Sequence, residues 1–430
     1  MHSIIFLNKK KSFNNIILFI FIFTLLNGVF RKWIFPNNSF GNFIQLIQII
    51  LPFFLVFSEN KWIKPWKNQY IFSYILILIF FSFNPMNKTI FHGFLGFLIY
   101  TPFFFVLTYY IDNRSNINII PLIKIFLYFC FFEIILAFIQ YQLPADNFLN
   151  RYADIDKLGI GQSIAMVGNS VRVTGTFSYI SGFSSFLIFT SIFSWVLVRI
   201  NYNLTVVFFL IIGTLSATLM TGSRSVMLIN LIIYFCMIKS EFSFSFIFGF
   251  FKKFLFTIIL FFLISFIFNG LFGIDNVISA SFENFENRRI ENKTTGEEES
   301  RIFQDLSDVL NFNGNHPFFG VGLGATYQGA TALFGTSDYV IEYGGYEGEL
   351  PRIILEGGFF LFFFRLLLIG IICSKLNIYW YSKIIFFIIL AYGTSLVFNV
   401  YNSFFFSIGL IFLDNSKYLT NKLNVENFNF

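Results

Sequence analysis

Long apolar segments recur along almost the whole chain, and they restrict the fold more than any motif does. Runs of about 15 to 25 residues rich in Phe, Ile and Leu alternate with short polar breaks, and a helix needs roughly 20 such residues to cross a bilayer. Only 12% of the 430 residues are charged, about half the fraction of a soluble chain. The pattern predicts an all-α integral membrane protein without a soluble domain.

We predict about twelve membrane-spanning helices that form a single polytopic domain over residues 1–430. The predicted spans are residues 14–30, 40–57, 70–83, 90–110, 119–143, 177–198, 204–220, 224–238, 253–273, 353–373, 378–396 and 398–413. Lys9, Lys10 and Lys11 precede the first apolar stretch, and no small-residue cleavage site follows it. We therefore expect a retained first span rather than a signal peptide.

The positions of Lys and Arg predict the orientation of these spans, because cytoplasmic loops carry an excess of both residues. With the N-terminus in the cytoplasm, alternate loops carry the clusters expected there, around Lys61, Arg114, Arg199, Lys239 and Lys375. Both termini are then expected to be cytoplasmic. The two longest polar segments, which we expect to be functional loops on the outer side, are residues 144–176 and 274–352.

Arginines stand where three predicted helices begin on the outer side: Arg172, Arg224 and Arg352. Arg301 opens a predicted amphipathic helix in the larger loop. An arginine at such a position opposes the excess of positive charge on the cytoplasmic side. It also lies near the positive end of the helix dipole, which costs about 0.3 to 1 kcal/mol. A shared anion would remove both objections, since helix N-termini and guanidinium groups bind phosphate. The alternative is that each arginine contacts lipid phosphates or a neighbouring Glu.

Acidic residues near Arg352 are candidates for a general base. Glu356 follows Arg352 by four residues on the same predicted helical face, and it is our first choice to accept a proton from a sugar hydroxyl. Glu349, three residues before the arginine, and His316 in the larger loop are secondary candidates. The alternative for both acids is an ordinary ion pair at the start of a helix.

Two further ionisable residues, Glu133 and Arg365, lie inside apolar runs, where they are either functional or paired within the bundle. The glycines of GVGLG, residues 320–324, are expected to let a loop pack against the bundle rather than bind a nucleotide. A single histidine in the larger loop makes no metal site, so we predict neither a metal nor a cofactor. Nothing in the composition indicates binding to nucleic acid.

Several short motifs together resemble the O-antigen polymerase and ligase superfamily. They are, in chain order, FRKWIFP after the first span, RVTGTF, TGSR at the outer end of a span, HPFFGVGLG after an arginine-bearing helix, and ELPRIILEGG. The similarity runs over nearly the whole chain, and HPFFGVGLG is its most specific part. The resemblance implies a bacterial inner-membrane bundle of about a dozen helices with a large, partly helical periplasmic loop.

The resemblance also implies an activity, a glycosyltransferase that joins oligosaccharides carried on undecaprenyl diphosphate, itself a membrane lipid. Arg224 and Arg301 would then hold the diphosphate and stabilise its charge during transfer, with Arg172 and Arg352 as further candidates. No histidine follows His316 where ligases of this family carry one, which favours a polymerase. A chain-length regulator protein is a further conceivable partner. The alternatives are an O-antigen ligase that transfers polymer to lipid A core, and a non-enzymatic lipid-linked oligosaccharide flippase or other transporter.

Overall fold

The computed structural model describes residues 2–36, 39–53, 69–114, 120–153, 166–167, 170–241, 318–343 and 348–423, with single positions between 279 and 290. The helices are α1 His2–Val29, α2 Ser39–Ile50, α3 Gln69–Ser82, α4 Ile90–Tyr100, α5 Pro102–Asn113, α6 Ile120–Gln142, α7 Ile180–Arg199, α8 Leu204–Thr221, α9 Arg224–Glu241, α10 Gln328–Phe334, α11 Asp338–Tyr343, α12 Glu349–Lys375, α13 Trp380–Ile388 and α14 Val400–Leu423. Two short strands, β1 Met166–Val167 and β2 Ser170–Val171, pair in antiparallel fashion with Met166 opposite Val171.

The predicted helical architecture is confirmed in the described part of the chain. Helices occupy every predicted span except 253–273, which lies outside the described residues. Among the described residues, five helical segments are long and apolar enough to cross a membrane: Asn15–Ile34, Leu122–Gln142, Ile180–Arg199, Leu204–Thr221 and Glu349–Lys375. The pair α4 and α5, bent by 40° at its junction, makes a sixth if the two helices form one span. The structure thus supports a helical membrane protein, and the number twelve stays a prediction.

Hydrogen bonds divide the loops between the two ends of the helical bundle. At one end, called here the Arg114 end, Arg114 binds Asp414 and the carbonyl of Lys375, and Arg199 binds Glu241. At the other, called the Arg172 end, lie the starts of α7, α9, α12 and α14. Among the described residues, the segments at Arg114, Arg199 and Lys375, which are predicted to be cytoplasmic, therefore meet at the Arg114 end. The segments at Arg172, Arg224 and Arg352, which are predicted to face outward, meet at the Arg172 end.

Helix α7 lies at the centre of the bundle, and 89% of its apolar window is buried against its neighbours, including α8, α9 and α14. Its Thr190, Ser191 and Ser194 hydroxyls donate to backbone carbonyls four residues earlier, which satisfies them inside an apolar environment. Aromatic rings fill the space around it. The Phe21 and Phe126 rings, for example, lie 3.8 Å apart between centroids. This core fixes the positions from which α7 and α14 reach the Arg172 end.

A glycine break divides α12 into two halves. Gly358 has φ of 65° and ψ of −176°, which no helical residue adopts. A straight helix would hold Glu349 and Arg365 about 24 Å apart along its axis, yet their side chains form an ion pair. The two halves therefore fold back at the break. The candidate span Glu349–Lys375 is therefore not one straight helix.

The GVGLG segment fills this break, as expected from its glycines. The Val321 N–H donates to the Leu355 carbonyl at 2.8 Å, and the Gly322 N–H donates to the Glu356 carbonyl at 2.9 Å. A Cβ on Gly320 would lie 2.5 Å from the Glu356 carbonyl oxygen, and its φ is +60°. Only glycine permits so close an approach of the two backbones.

Candidate functional site

A cavity of about 330 Å³ opens at the Arg172 end, between the first turns of α7, α9 and α14. Its polar lining residues are mainly Ser and Asn, together with one Arg and one Thr: Arg172, Ser181, Ser184, Ser185, Ser223, Ser225, Thr394, Ser395, Asn399 and Asn402. Because three helices begin here, their N-terminal N–H groups and dipoles favour a negatively charged ligand. We call this space the serine cavity.

Arg172 brings a guanidinium group to the serine cavity. Its Nε donates a 2.7 Å hydrogen bond to the carbonyl of Thr221, the last residue of α8, and the side chain is half-buried. This bond holds the RVTGTF and TGSR motifs against each other, although 49 residues separate the two bonded positions. The structure thus places two of the sequence motifs beside one cavity.

Buried side chains from the segment that follows α1 and from α6 hold the turn that follows Arg172. The Gln140 Oε1 accepts from the Gly175 N–H at 2.8 Å, and the Lys32 Nζ donates to the Gly175 carbonyl at 2.9 Å. The Glu133 Oε2 accepts from the Thr176 N–H at 3.0 Å. These contacts account for the buried Glu133: it pairs within the bundle and positions the turn.

Arg224 begins α9 at the rim of the serine cavity. Gly222, in the left-handed conformation with φ of +64°, ends α8 and turns the chain. The neighbouring Ser223 and Ser225 line the cavity, whereas the Arg224 side chain is exposed and lies outside the lining. The TGSR motif therefore supplies hydroxyl groups to the cavity and a cation to its edge.

A second polar cluster, the Glu356 centre, consists of Tyr100, Thr326, Arg352 and Glu356. The Glu356 Oε1 accepts from the Thr326 N–H at 2.8 Å and from its hydroxyl at 2.6 Å, and the Tyr100 hydroxyl donates to Oε2 at 3.0 Å. The Arg352 Nε donates to the Thr326 Oγ1 at 3.1 Å, and Nη2 donates to the Thr326 carbonyl at 2.6 Å. Thr326 thus connects the arginine with the acid. Glu356 is fully buried, unlike the exposed helix-face residue that a simple surface pair would require.

The Glu356 centre and the serine cavity lie on either side of one short segment. The Arg352 guanidinium lies 3.6 Å above the centroid of the Phe398 ring, and the next residue, Asn399, lines the cavity. Arg172 and Arg352 consequently occupy neighbouring sites rather than a single cavity. An extended ligand would be needed to contact both.

Glu349, a secondary candidate for the base, has a structural partner in Arg365. Their buried ion pair is supplemented by the Ser395 hydroxyl at 3.0 Å and the Val397 N–H at 2.7 Å, both of which donate to the Glu349 Oε2. Arg365 also donates to the Ala391 carbonyl at 3.2 Å. The pair anchors the first half of α12 to the segment that follows α13, so the alternative interpretation of both residues, pairing within the bundle, agrees with the structure.

Arg31 and Tyr327 are polar residues near the Glu356 centre that the sequence interpretation did not select. Arg31 is 5% exposed, and its Nη1 donates to the Ser178 hydroxyl at 3.4 Å. Burial raises the pKa of the Tyr327 phenol, and the charges of Arg31 and Arg352 act in the opposite direction. Arg31 stands at the end of a span, whereas the predicted anion-binding arginines stand where spans begin.

Two predicted site residues, Arg301 and His316, lie outside the described residues. Within the described part, no three His, Cys, Asp or Glu side chains are grouped so that they could hold a metal ion. Comparisons with profiles of known protein families, with curated proteins and with solved structures find no match for this chain.

Proposed function

We propose that the protein is a membrane glycosyltransferase that polymerises oligosaccharide repeat units carried on undecaprenyl diphosphate, in the synthesis of O-antigen or another surface polysaccharide. The location that goes with this function is the bacterial inner membrane, crossed about twelve times with both termini in the cytoplasm. The Arg172 end would then face the periplasm, together with the 144–176 and 274–352 loops.

The adjacency of the Glu356 centre and the serine cavity carries the proposal. Polymerisation needs a base for the acceptor hydroxyl and positive charge for the diphosphate that leaves. The buried carboxylate of Glu356 lies beside Arg352, and the segment at Phe398 leads directly to the cavity with Arg172. Both requirements are therefore met within one end of the bundle.

In the proposed reaction, the acceptor hydroxyl gives its proton to Glu356 and attacks the sugar carbon that bears the diphosphate. The bond to the diphosphate breaks, and its new negative charge is stabilised by arginines. Arg172 and Arg224 suit this role because they lie in and at the rim of a cavity where three helices begin. Arg301 and Arg352 are the further candidates. Arginine supplies this charge in the proposal, so no metal ion or cofactor is assigned.

Purified protein in lipid nanodiscs, supplied with radiolabelled lipid-linked repeat units, provides the test. Growth of a ladder of lipid-linked chains supports the polymerase. Transfer of the label to lipid A core, with no ladder, would instead identify a ligase. Movement of intact lipid-linked repeats across proteoliposomes without any transfer would refute the enzymatic proposal.

A transporter is the second candidate, because the structure contains the broken helices that many transporters use. Gly358 interrupts α12, and α4 and α5 meet at a 40° bend. In transporters such breaks expose backbone groups to a substrate or ion near the middle of the membrane. The flippase arm of the same experiment decides between the two candidates.

A further inference from the structure

Asn402, near the start of α14, is a lining residue of the serine cavity with an unmatched acceptor. The side chain is 7% exposed, and its Nδ2 donates to the Ser395 carbonyl at 2.8 Å. This bond fixes the orientation of the amide, since the reverse would place two oxygen atoms together. The Asn402 Oδ1 is buried and has no hydrogen-bond partner among the described residues.

Such an oxygen calls for a donor, because a buried polar atom without a partner is costly and rare. Because Asn402 lines the serine cavity, a molecule bound there can supply this donor, and hydroxyl or amide N–H groups are the chemistry that fits. Two further lining residues, Ser181 and Ser223, carry hydroxyls that can both donate and accept. A ligand rich in hydroxyl groups matches this lining better than a bare phosphate does.

The remaining features of the cavity define the ligand further. Its volume of about 330 Å³ lies at the lower end of the roughly 300 to 1,000 Å³ of small-molecule sites, which suits one sugar ring. Ile180, Val226 and Ile229 provide an apolar part of the lining against which the C–H face of a ring can pack. Arg172 and the three helix starts favour negative charge next to that ring.

We propose that the serine cavity is a sugar-recognition subsite, which holds the sugar directly attached to the diphosphate, with the Asn402 Oδ1 accepting a hydrogen bond from a hydroxyl or acetamido N–H of that sugar. This inference rests on the proposed function, in that it assumes a lipid-linked glycan as substrate. It makes Asn402 a residue that determines specificity, whereas Arg172 acts on the diphosphate.

The test measures binding rather than turnover. Undecaprenyl diphosphate carrying N-acetylglucosamine or galactose is titrated against the protein in nanodiscs, in parallel with sugar-free undecaprenyl diphosphate. We expect at least one sugar-linked lipid to bind more tightly than the sugar-free lipid. Asn402→Ala should weaken the binding of that sugar-linked lipid by about 5- to 100-fold. It should leave the affinity for the sugar-free lipid unchanged within about threefold.

Asn415→Ala is the matched control. Asn415 lies on the same helix, is 2% exposed and also has an Oδ1 without a partner among the described residues, but it lies at the Arg114 end. It should leave both affinities unchanged. Asn402→Asp keeps the acceptor oxygen and loses the donor to Ser395, so it should retain the preference for the sugar-linked lipid. A merely structural role for Asn402 predicts that Asp is at least as harmful to this preference as Ala.

Two results would overturn the inference, and they have different meanings. Equal binding of sugar-linked and sugar-free lipid, or equal weakening of both by Asn402→Ala, would remove the sugar subsite and leave the polymerase proposal intact. Binding of neither lipid to the wild-type protein would remove both proposals together.

Discussion

Replacement of Glu356 by Gln separates its two conceivable roles, a chemical base and a structural clamp. In the structure, three donors point at its carboxylate: the Thr326 N–H, the Thr326 hydroxyl and the Tyr100 hydroxyl. Gln keeps the carbonyl oxygen for Thr326 and offers an amide N–H to the Tyr100 oxygen. The change leaves at most the Tyr100 O–H without its acceptor, at a cost of about 1 to 3 kcal/mol. The protein should therefore remain folded.

Replacement of Glu356 by Ala has a different effect, because all three donors then lose their acceptor. At about 1 to 3 kcal/mol each, the loss is roughly 3 to 9 kcal/mol, comparable with the whole stability of many proteins. Glu356→Ala should consequently reduce the amount of folded protein, and it cannot report on chemistry. Glu356→Gln can, since general-base catalysis contributes about 10²- to 10⁴-fold and Gln accepts no proton.

The assay is quantitative chain growth in nanodiscs, with donor binding measured on the same samples. We expect Glu356→Gln to lower turnover by about 10²- to 10⁴-fold and to leave donor binding intact. The Glu356 Oε2 accepts one hydrogen bond, from Tyr100, and its second lone pair can take the proton of the acceptor hydroxyl. Tyr100→Phe is the matched control: it removes one hydrogen bond but keeps the base, and turnover should stay within about tenfold.

The refuting result is turnover of Glu356→Gln within about threefold of wild type, which would make Glu356 a clamp for the GVGLG loop. His316→Ala, assayed beside it, would identify His316 as the base if that variant alone loses turnover.

Glu349→Gln should behave differently from both of these variants. It breaks the buried pair with Arg365, at about 3 to 5 kcal/mol, so it should lower the yield of folded protein rather than turnover per molecule.

Three further predictions address the cation at the cavity rim, the orientation and the helix break. Arg224→Lys should impair polymerisation severely in a folded, inserted protein, because lysine lacks the planar guanidinium fork; near-normal polymer would reduce the residue to an interfacial anchor. Alkaline-phosphatase fusions should be active at Gly296 and inactive at Lys64, and the reverse pattern would contradict the topology. Gly320→Ala should lower the melting temperature in detergent, since its φ of +60° and the clashing backbone cost at least about 1 kcal/mol, whereas Gly370→Ala, which meets only ordinary contacts, should not.

The helix positions could be predicted from the sequence because apolar length alone determines them. The arginines at the Arg172 end could also be selected, since their charge opposes a general bias. Thr326 could not, because nothing local distinguishes one loop threonine from another, and its bonds to Arg352 and Glu356 cross 26 and 30 residues. Asn402 could not be selected either, because in the sequence it is only a polar residue within the last predicted span, 398–413.

The Glu349–Arg365 pair shows most clearly what sequence periodicity cannot provide. Sixteen residues along a regular helix place two side chains about 160° apart around the axis and about 24 Å apart along it. Periodicity therefore predicts that they never meet. They do meet because Gly358 breaks the helix, and that break exists because the GVGLG backbone must approach α12 closely. A tertiary contact here overrides the local pattern.

The breaks in the helices favour a fixed scaffold over a moving one. At Gly358, the carbonyl of Leu355 is bonded by the inserted loop. At the α4–α5 bend, Pro102 has no N–H to donate to the Leu98 carbonyl, and the Thr101 hydroxyl donates to it instead, at 3.1 Å. In both places the protein itself donates a hydrogen bond to the carbonyl freed by the break, whereas a transporter would leave such groups free to bind its substrate. Closed breaks of this kind hold the loop and the helix in one arrangement, which an enzyme needs in order to keep a base and an anion site in register.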